Sequence, residues 1–152
     1  MSSSIPAIKS NYILIIELQT PKTFFFKPLK KEIILPPGLY IYIGSAHGPG
    51  GVRARLLRHL SKNKKIKWHI DLLTVERDVE VKGSLILRKD NRKECDLVID
   101  LLKSNYFEIP VKKFGSTDTK CVTHLLRYKG RDLNSLENIL KKMFHGFLFL
   151  KF

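Results

Sequence analysis

Apolar residues recur along this chain in two rhythms, and each change of rhythm marks an element. Residues 38–46 alternate at period two, which places Tyr40 and Tyr42 on one face of a strand and Leu39, Ile41 and Ile43 on the other. Residues 12–18 form a β-branched apolar run bounded by Asn11 and by Gln19, Thr20 and Pro21, predicting a buried, central strand. Residues 23–26 and 32–35 predict short strands, set off from the tyrosine strand by Pro36, Pro37 and Gly38. After the loop signal at 48–51 the period becomes helical, with Val52, Leu56, Leu57 and Leu60 on one side of residues 52–60 and Arg55, Arg58 and His59 on the other. Residues 62–67 read as a basic loop, and 79–87 as one or two strands. Residues 94–103 predict a helix whose apolar arc of Leu97, Val98, Leu101 and Leu102 has Glu94 in its middle, with Asp96 and Asp100 pointing away. A turn at 114–119, a strand at 123–128, a short amphipathic helix at 134–143 and a last strand at 146–150 complete the pattern.

Charge narrows the function. The 152 residues suit one domain, and 28 Lys and Arg against 14 Asp and Glu give a formal net charge of +14, which points to a polyanionic partner, nucleic acid first. No run of about 18 apolar residues and no apolar leader within residues 1–10 supports a membrane alternative, so the expectation is a soluble, cytoplasmic protein. Cys95 and Cys121 are too few for a disulfide framework; packing is their ordinary role, with one bridge between them left open.

Several side chains stand out against this background. Arg55 and His59 are an i, i+4 pair, so both can reach one phosphate. Arg53 and Arg58 read as phosphate-backbone contacts, and Lys62, Lys64, Lys65 and Lys67 as a gripping loop. Glu94 on an apolar arc needs a partner such as a cation, a donor or a metal, unless the helix dipole alone accounts for it. The 48–51 loop could offer amides to a phosphate but lacks the lysine and hydroxyl of a P-loop, so a connector is the plainer reading.

Tyr42-Ile43-Gly44-Ser45 followed by Arg55-Leu56-Leu57-Arg58-His59 resembles the second half of the signature of GIY-YIG nucleases, metal-dependent enzymes that cut DNA. Residues 38–46, Trp68-His69-Ile70-Asp71, Glu94-Cys95-Asp96-Leu97, residues 114–118, Cys121 and His124-Leu125 resemble an uncharacterised prokaryotic branch of that superfamily, over about Tyr12 to Tyr128. The resemblance implies a small α/β sandwich with a mainly antiparallel central sheet flanked by helices, a core at about 10–130 and a C-terminal extension at 131–152 that packs on the core or mediates a homodimer. It implies Mg²⁺ or Mn²⁺ held by Glu94, charge relief by Arg55, and Tyr42 or His69 positioning or deprotonating the water, with Tyr12 orienting a phosphate or water. Tyr40, on the same face as Tyr42, is the alternative for the Tyr12 role, because Ser10-Asn11-Tyr12 departs from the first half of the signature. The late asparagine of the family is matched only by order, to Asn105, Ser116 or Asp118; Asp71 and His124 are secondary site residues. Fusion of branch members to endonuclease III-type glycosylases makes base-excision repair enzymes candidate partners. The expected activity is a structure- or lesion-directed DNA endonuclease, with a noncatalytic nucleic-acid-binding module as the second reading and an RNA-cutting enzyme as the third.

Overall fold

A computed structural model of the chain describes residues 5–152. Strands β1 (Ser10–Leu18), β2 (Lys22–Phe26), β3 (Lys31–Leu35) and β4 (Gly38–Ala46) come first, then helices α1 (Gly51–Leu60) and α2 (Asp71–Thr74). Strand β5 (Val79–Leu87), helix α3 (Glu94–Lys103), strands β6 (Phe107–Glu108) and β7 (Leu125–Tyr128), helix α4 (Leu133–Met143) and strand β8 (Leu148–Lys151) follow. A six-stranded sheet in the order β6-β7-β4-β1-β5-β8 is antiparallel at every pairing, and β2 and β3 form a separate two-stranded ribbon. The architecture is the expected α/β sandwich.

The period-two pattern decides which layer each side chain joins. Tyr12, Leu14 and Ile16 of β1 and Tyr40 and Tyr42 of β4 pack with Val52 and Leu56 of α1 and with Phe26 and Leu35 of the ribbon. Ile13, Ile15, Leu39, Ile41 and Ile43 pack against Leu97, Val98 and Leu101 of α3 and Leu136 and Leu140 of α4. Strand β1 is covered on both faces, as its unbroken apolar run requires, and burial of each large aliphatic side chain there contributes roughly 1.5–3 kcal/mol. Residues 79–87 form one strand. Asp132 caps α4 by accepting the Ser135 N–H at 3.0 Å, so that helix starts one residue ahead of the periodic segment. The C-terminal segment packs on the core, pairing as edge strand β8 along β5. Cys95 and Cys121 are joined in a disulfide with a Cα–Cα distance of 5.4 Å, tying the first turn of α3 to the segment that leads into β7.

Helix α1 is rotated from the expected wheel. Its buried side chains include Val52, Leu56 and His59, while Leu57 is 39% exposed. The phenol of Tyr12 supplies a partner for the imidazole, which makes a buried histidine affordable at a position that reads as polar. The 48–51 loop is a closed connector: the Gly51 N–H donates to Gly48 O, the Val52 N–H to Ile8 O and the Ala54 N–H to Gly50 O, so these amides are not offered to a phosphate.

Candidate active site

The β1–β4 register sets Tyr12 opposite Gly44 and Leu14 opposite Tyr42, so the two tyrosines are diagonal neighbours on one face. A Cβ on Gly44 would overlap Cζ and Oη of Tyr12, so the glycine is required for the ring to lie across the neighbouring strand. The Tyr12 oxygen is 2.6 Å from Nε2 of buried His59. Burial pushes the Tyr12 phenol well above the ordinary tyrosine range, reinforced by the neighbouring Tyr42, and burial followed by the Glu94 charge does the same for Tyr42. Burial, with Lys64 nearby, pushes His59 down to about 3. Both phenols therefore keep their protons and His59 stays neutral at neutral pH. Tyr40 is elsewhere: its hydroxyl donates to Pro36 O at 2.6 Å, so Tyr12, and not Tyr40, stands beside Tyr42.

Above these rings opens a cleft of about 300 Å³ lined by Tyr12, Tyr42, Arg55, Trp68, Glu94 and His124, among others. The Arg55 guanidinium carbon lies 4.2 Å from the centroid of Trp68, and Arg55 enters no ion pair or hydrogen bond among the described residues. Glu94, the first residue of α3, is half-buried and accepts no hydrogen bond among the described residues; Nδ1 of His124 lies 3.8 Å from its Oε2. Burial pushes the Glu94 carboxyl up, against the pull of His47 and Arg55, and burial pushes His124 down, so no charged pair forms between them at neutral pH.

His69 falls outside this cleft. Its Nδ1 accepts the Gly115 N–H at 2.8 Å, its ring meets Phe26 edge-on at 4.8 Å, and it lines an adjoining depression with Tyr42, Trp68 and Asp118. Burial lowers its pKa, so the ring is neutral with its proton on Nε2. With Nδ1 engaged, Nε2–H is the side of the ring left free to donate.

The expected phosphate grip is largely turned inward. Nη2 of Arg58 donates to Oδ2 of buried Asp71 at 2.6 Å and to Lys65 O at 2.8 Å. Nζ of Lys62 donates to the carbonyls of Thr74, Glu76 and Val79 at 2.8, 2.7 and 2.6 Å, capping the end of α2. Nζ of Lys64 donates to Arg58 O and Thr74 Oγ1, both at 2.7 Å, and burial pushes it down to about 8. Nε of Arg53 donates to Ile5 O at 2.6 Å. Asp71 also accepts the Lys67 and Trp68 N–H groups; burial alone would raise its pKa, but these bonds and Arg58 hold it below the usual carboxylate range. Asp71 is thus a structural hub. Lys65 and Lys67 remain exposed, and Nζ of Lys67 sits 4.7 Å over Trp68. Asn105 lies past the end of α3, and Ser116 is buried outside the cleft, which Asp118 alone of the three asparagine counterparts lines.

A family profile described as domain of unknown function DUF123 matches residues 11–147. The chain belongs to that family. No curated protein and no solved structure matches it.

In this DUF123 domain, no group of three or more His, Cys, Asp or Glu among the described residues is placed to hold a metal. A magnesium-type site does not need one, because such an ion takes one or two carboxylates and completes its shell with water and phosphate oxygens. Glu94, half-buried, unbonded and facing the same cleft as Arg55, fits that donor set. His47 was not legible in the sequence: it follows the strand outside any motif position, and its relation to Glu94 depends on how β4 ends beside α3. The positive φ of +75° at Gly115, where a Cβ would lie 2.9 Å from the Tyr42 oxygen, was likewise not expected.

Proposed function

We propose that this domain is a divalent-metal-dependent endonuclease of the GIY-YIG type that hydrolyses phosphodiester bonds in DNA, acting on a structure or lesion in repair or processing. One observation carries the reading: an unpaired guanidinium and an unpaired carboxylate share a cleft floored by two protonated phenols. Arg55, lying over Trp68, is free to donate to the non-bridging oxygens where charge develops. Tyr42 donates to the phosphate or the attacking water, since burial keeps its proton in place, and the Tyr12–His59 pair orients water from the floor. Glu94 would hold Mg²⁺ or Mn²⁺, which supplies an activated water and charge relief when bound. His69, through Nε2–H, positions a group on the adjoining side. DNA is favoured over RNA by the resemblance of the motif order.

The test is cleavage of labelled single-stranded, duplex, abasic and branched DNA with Mg²⁺, Mn²⁺ or EDTA. Cutting that needs metal and disappears in Glu94→Gln is the expected result. Tight binding without cutting under every condition would transfer the domain to the noncatalytic, nucleic-acid-binding reading, and base-excision enzymes as partners would then be sought by their effect on binding.

A further inference from the structure

Two basic grooves adjoin the cleft, and neither uses the lysine loop. One is lined by Lys9, His47, Arg88, Arg92 and Lys93 together with Glu94, which it shares with the cleft. The other is lined by Lys27, Lys112, Lys113 and Lys120 with Thr119, also a cleft residue. Lys9, Arg88 and Lys93 on one side, and Lys27, Lys112, Lys113 and Lys120 on the other, are exposed and enter no ion pair among the described residues. Arg92 differs, being held by Asp90 and Asp100.

Sheet order gives their direction. The cleft sits over neighbouring β4 and β1; the first groove lies where β1 starts and β5 ends, at Asn11 and Leu87, and the second is built on the segment that enters β7. In the order β7-β4-β1-β5 the two grooves therefore leave the cleft on opposite flanks. We infer that one nucleic-acid strand runs from the Lys9–Arg88–Lys93 groove, past Glu94 and Arg55, into the Lys112–Lys113–Lys120 groove, so that backbone is held on both sides of the cleft. A strand gripped on both flanks needs no free end, which makes internal cutting the geometry of this site. The inference rests on the nuclease reading for what happens in the cleft, but the track itself is a binding surface and stands or falls on binding.

The test uses the full chain carrying Lys9→Glu with Arg88→Glu, or Lys112→Glu with Lys113→Glu, and the Lys65→Glu, Lys67→Glu variant for comparison. Binding of labelled single-stranded and duplex DNA is measured across a salt series, and cutting is followed on linear and circular single-stranded DNA with Mn²⁺. Each groove variant should weaken binding at least tenfold and lower the slope of log K against log salt by about 1.4–1.8 for two lost phosphate contacts, with an unchanged melting temperature. The loop variant should lose less affinity than either groove variant, and circular DNA should be cut as readily as linear. If both groove variants bind and cut like the parent, the track is wrong while the nuclease reading survives. Loss of binding in the groove variants of a protein that never cuts sustains the track and removes the nuclease reading. A parent protein that binds no DNA overturns the track, and one that cuts linear but never circular DNA overturns the internal-cutting geometry drawn from it.

Discussion

On α1 the guanidinium of Arg55 lies over Trp68 and pairs with no carboxylate among the described residues, whereas nearby the ammonium of Lys64 is enclosed by Arg58 O, Thr74 Oγ1 and the charge of Asp71. Both regions are rich in cations and both border Trp68, yet one presents its charge to a cleft and the other ties the chain to itself. Total charge says that a polyanion is the expected partner; only hydrogen-bond geometry says which cations are free to meet it. The two regions should accordingly fail in different ways when disturbed.

The largest contrast is expected between Arg55 and Asp71. Arg55→Ala should lower the cleavage rate by at least about 100-fold, the usual loss when one donor to a developing oxyanion is removed, with little change in melting temperature. Asp71→Ala leaves Arg58 and Lys64 without their buried counter-charge and should destabilise the fold by roughly 3 kcal/mol, measured by urea unfolding, while the rate per folded molecule stays near that of the parent. Equal effects of both changes on rate and stability would erase the distinction between the two regions.

pH separates them again. His59 is neutral in the fold at a pKa of about 3 against an ordinary 6.5, so the folded-state value is depressed. Its contribution is fully present above about pH 6.5 and is lost as pH falls toward 3, at about 1.4 kcal/mol per pH unit. His59→Phe should flatten the pH dependence of unfolding over that window; an unchanged slope would mean that His59 is not buried neutral. On the proposed nuclease reading, the acid limb of activity should be shifted upward, since burial raises Glu94 and a metal there would need its ionised form. The smallest effect is expected at Lys65 and Lys67: single alanine changes there should alter the salt slope of DNA binding by no more than about 0.9 each and leave stability unchanged.

Much of the architecture was legible because burial on two faces leaves a pattern in one dimension. The run of β1, the alternation of β4 and the bounds of α3 follow from periodicity alone. The direction of α1 did not, because whether His59 points to solvent or core depends on a phenol from β1, a contact distant in the sequence. Tyr12, Tyr42, Arg55 and Glu94 do meet in one cleft. His69 lines the adjoining depression instead, where its Nδ1 accepts the N–H of Gly115, a residue in a left-handed turn. Lysines were the least legible residues: a run of them looks alike whether its ammonium groups face water or cap a helix.

Gly44 and Gly115 cast the cleft in negative. Gly44 needs no unusual backbone angle, and what it contributes is room, occupied by the Tyr12 ring; Gly115 leaves the same kind of room for Tyr42. The shape of the floor is therefore written as missing carbon at two distant positions, and a single methyl at position 44 would displace a ring from a strand whose own sequence had not changed.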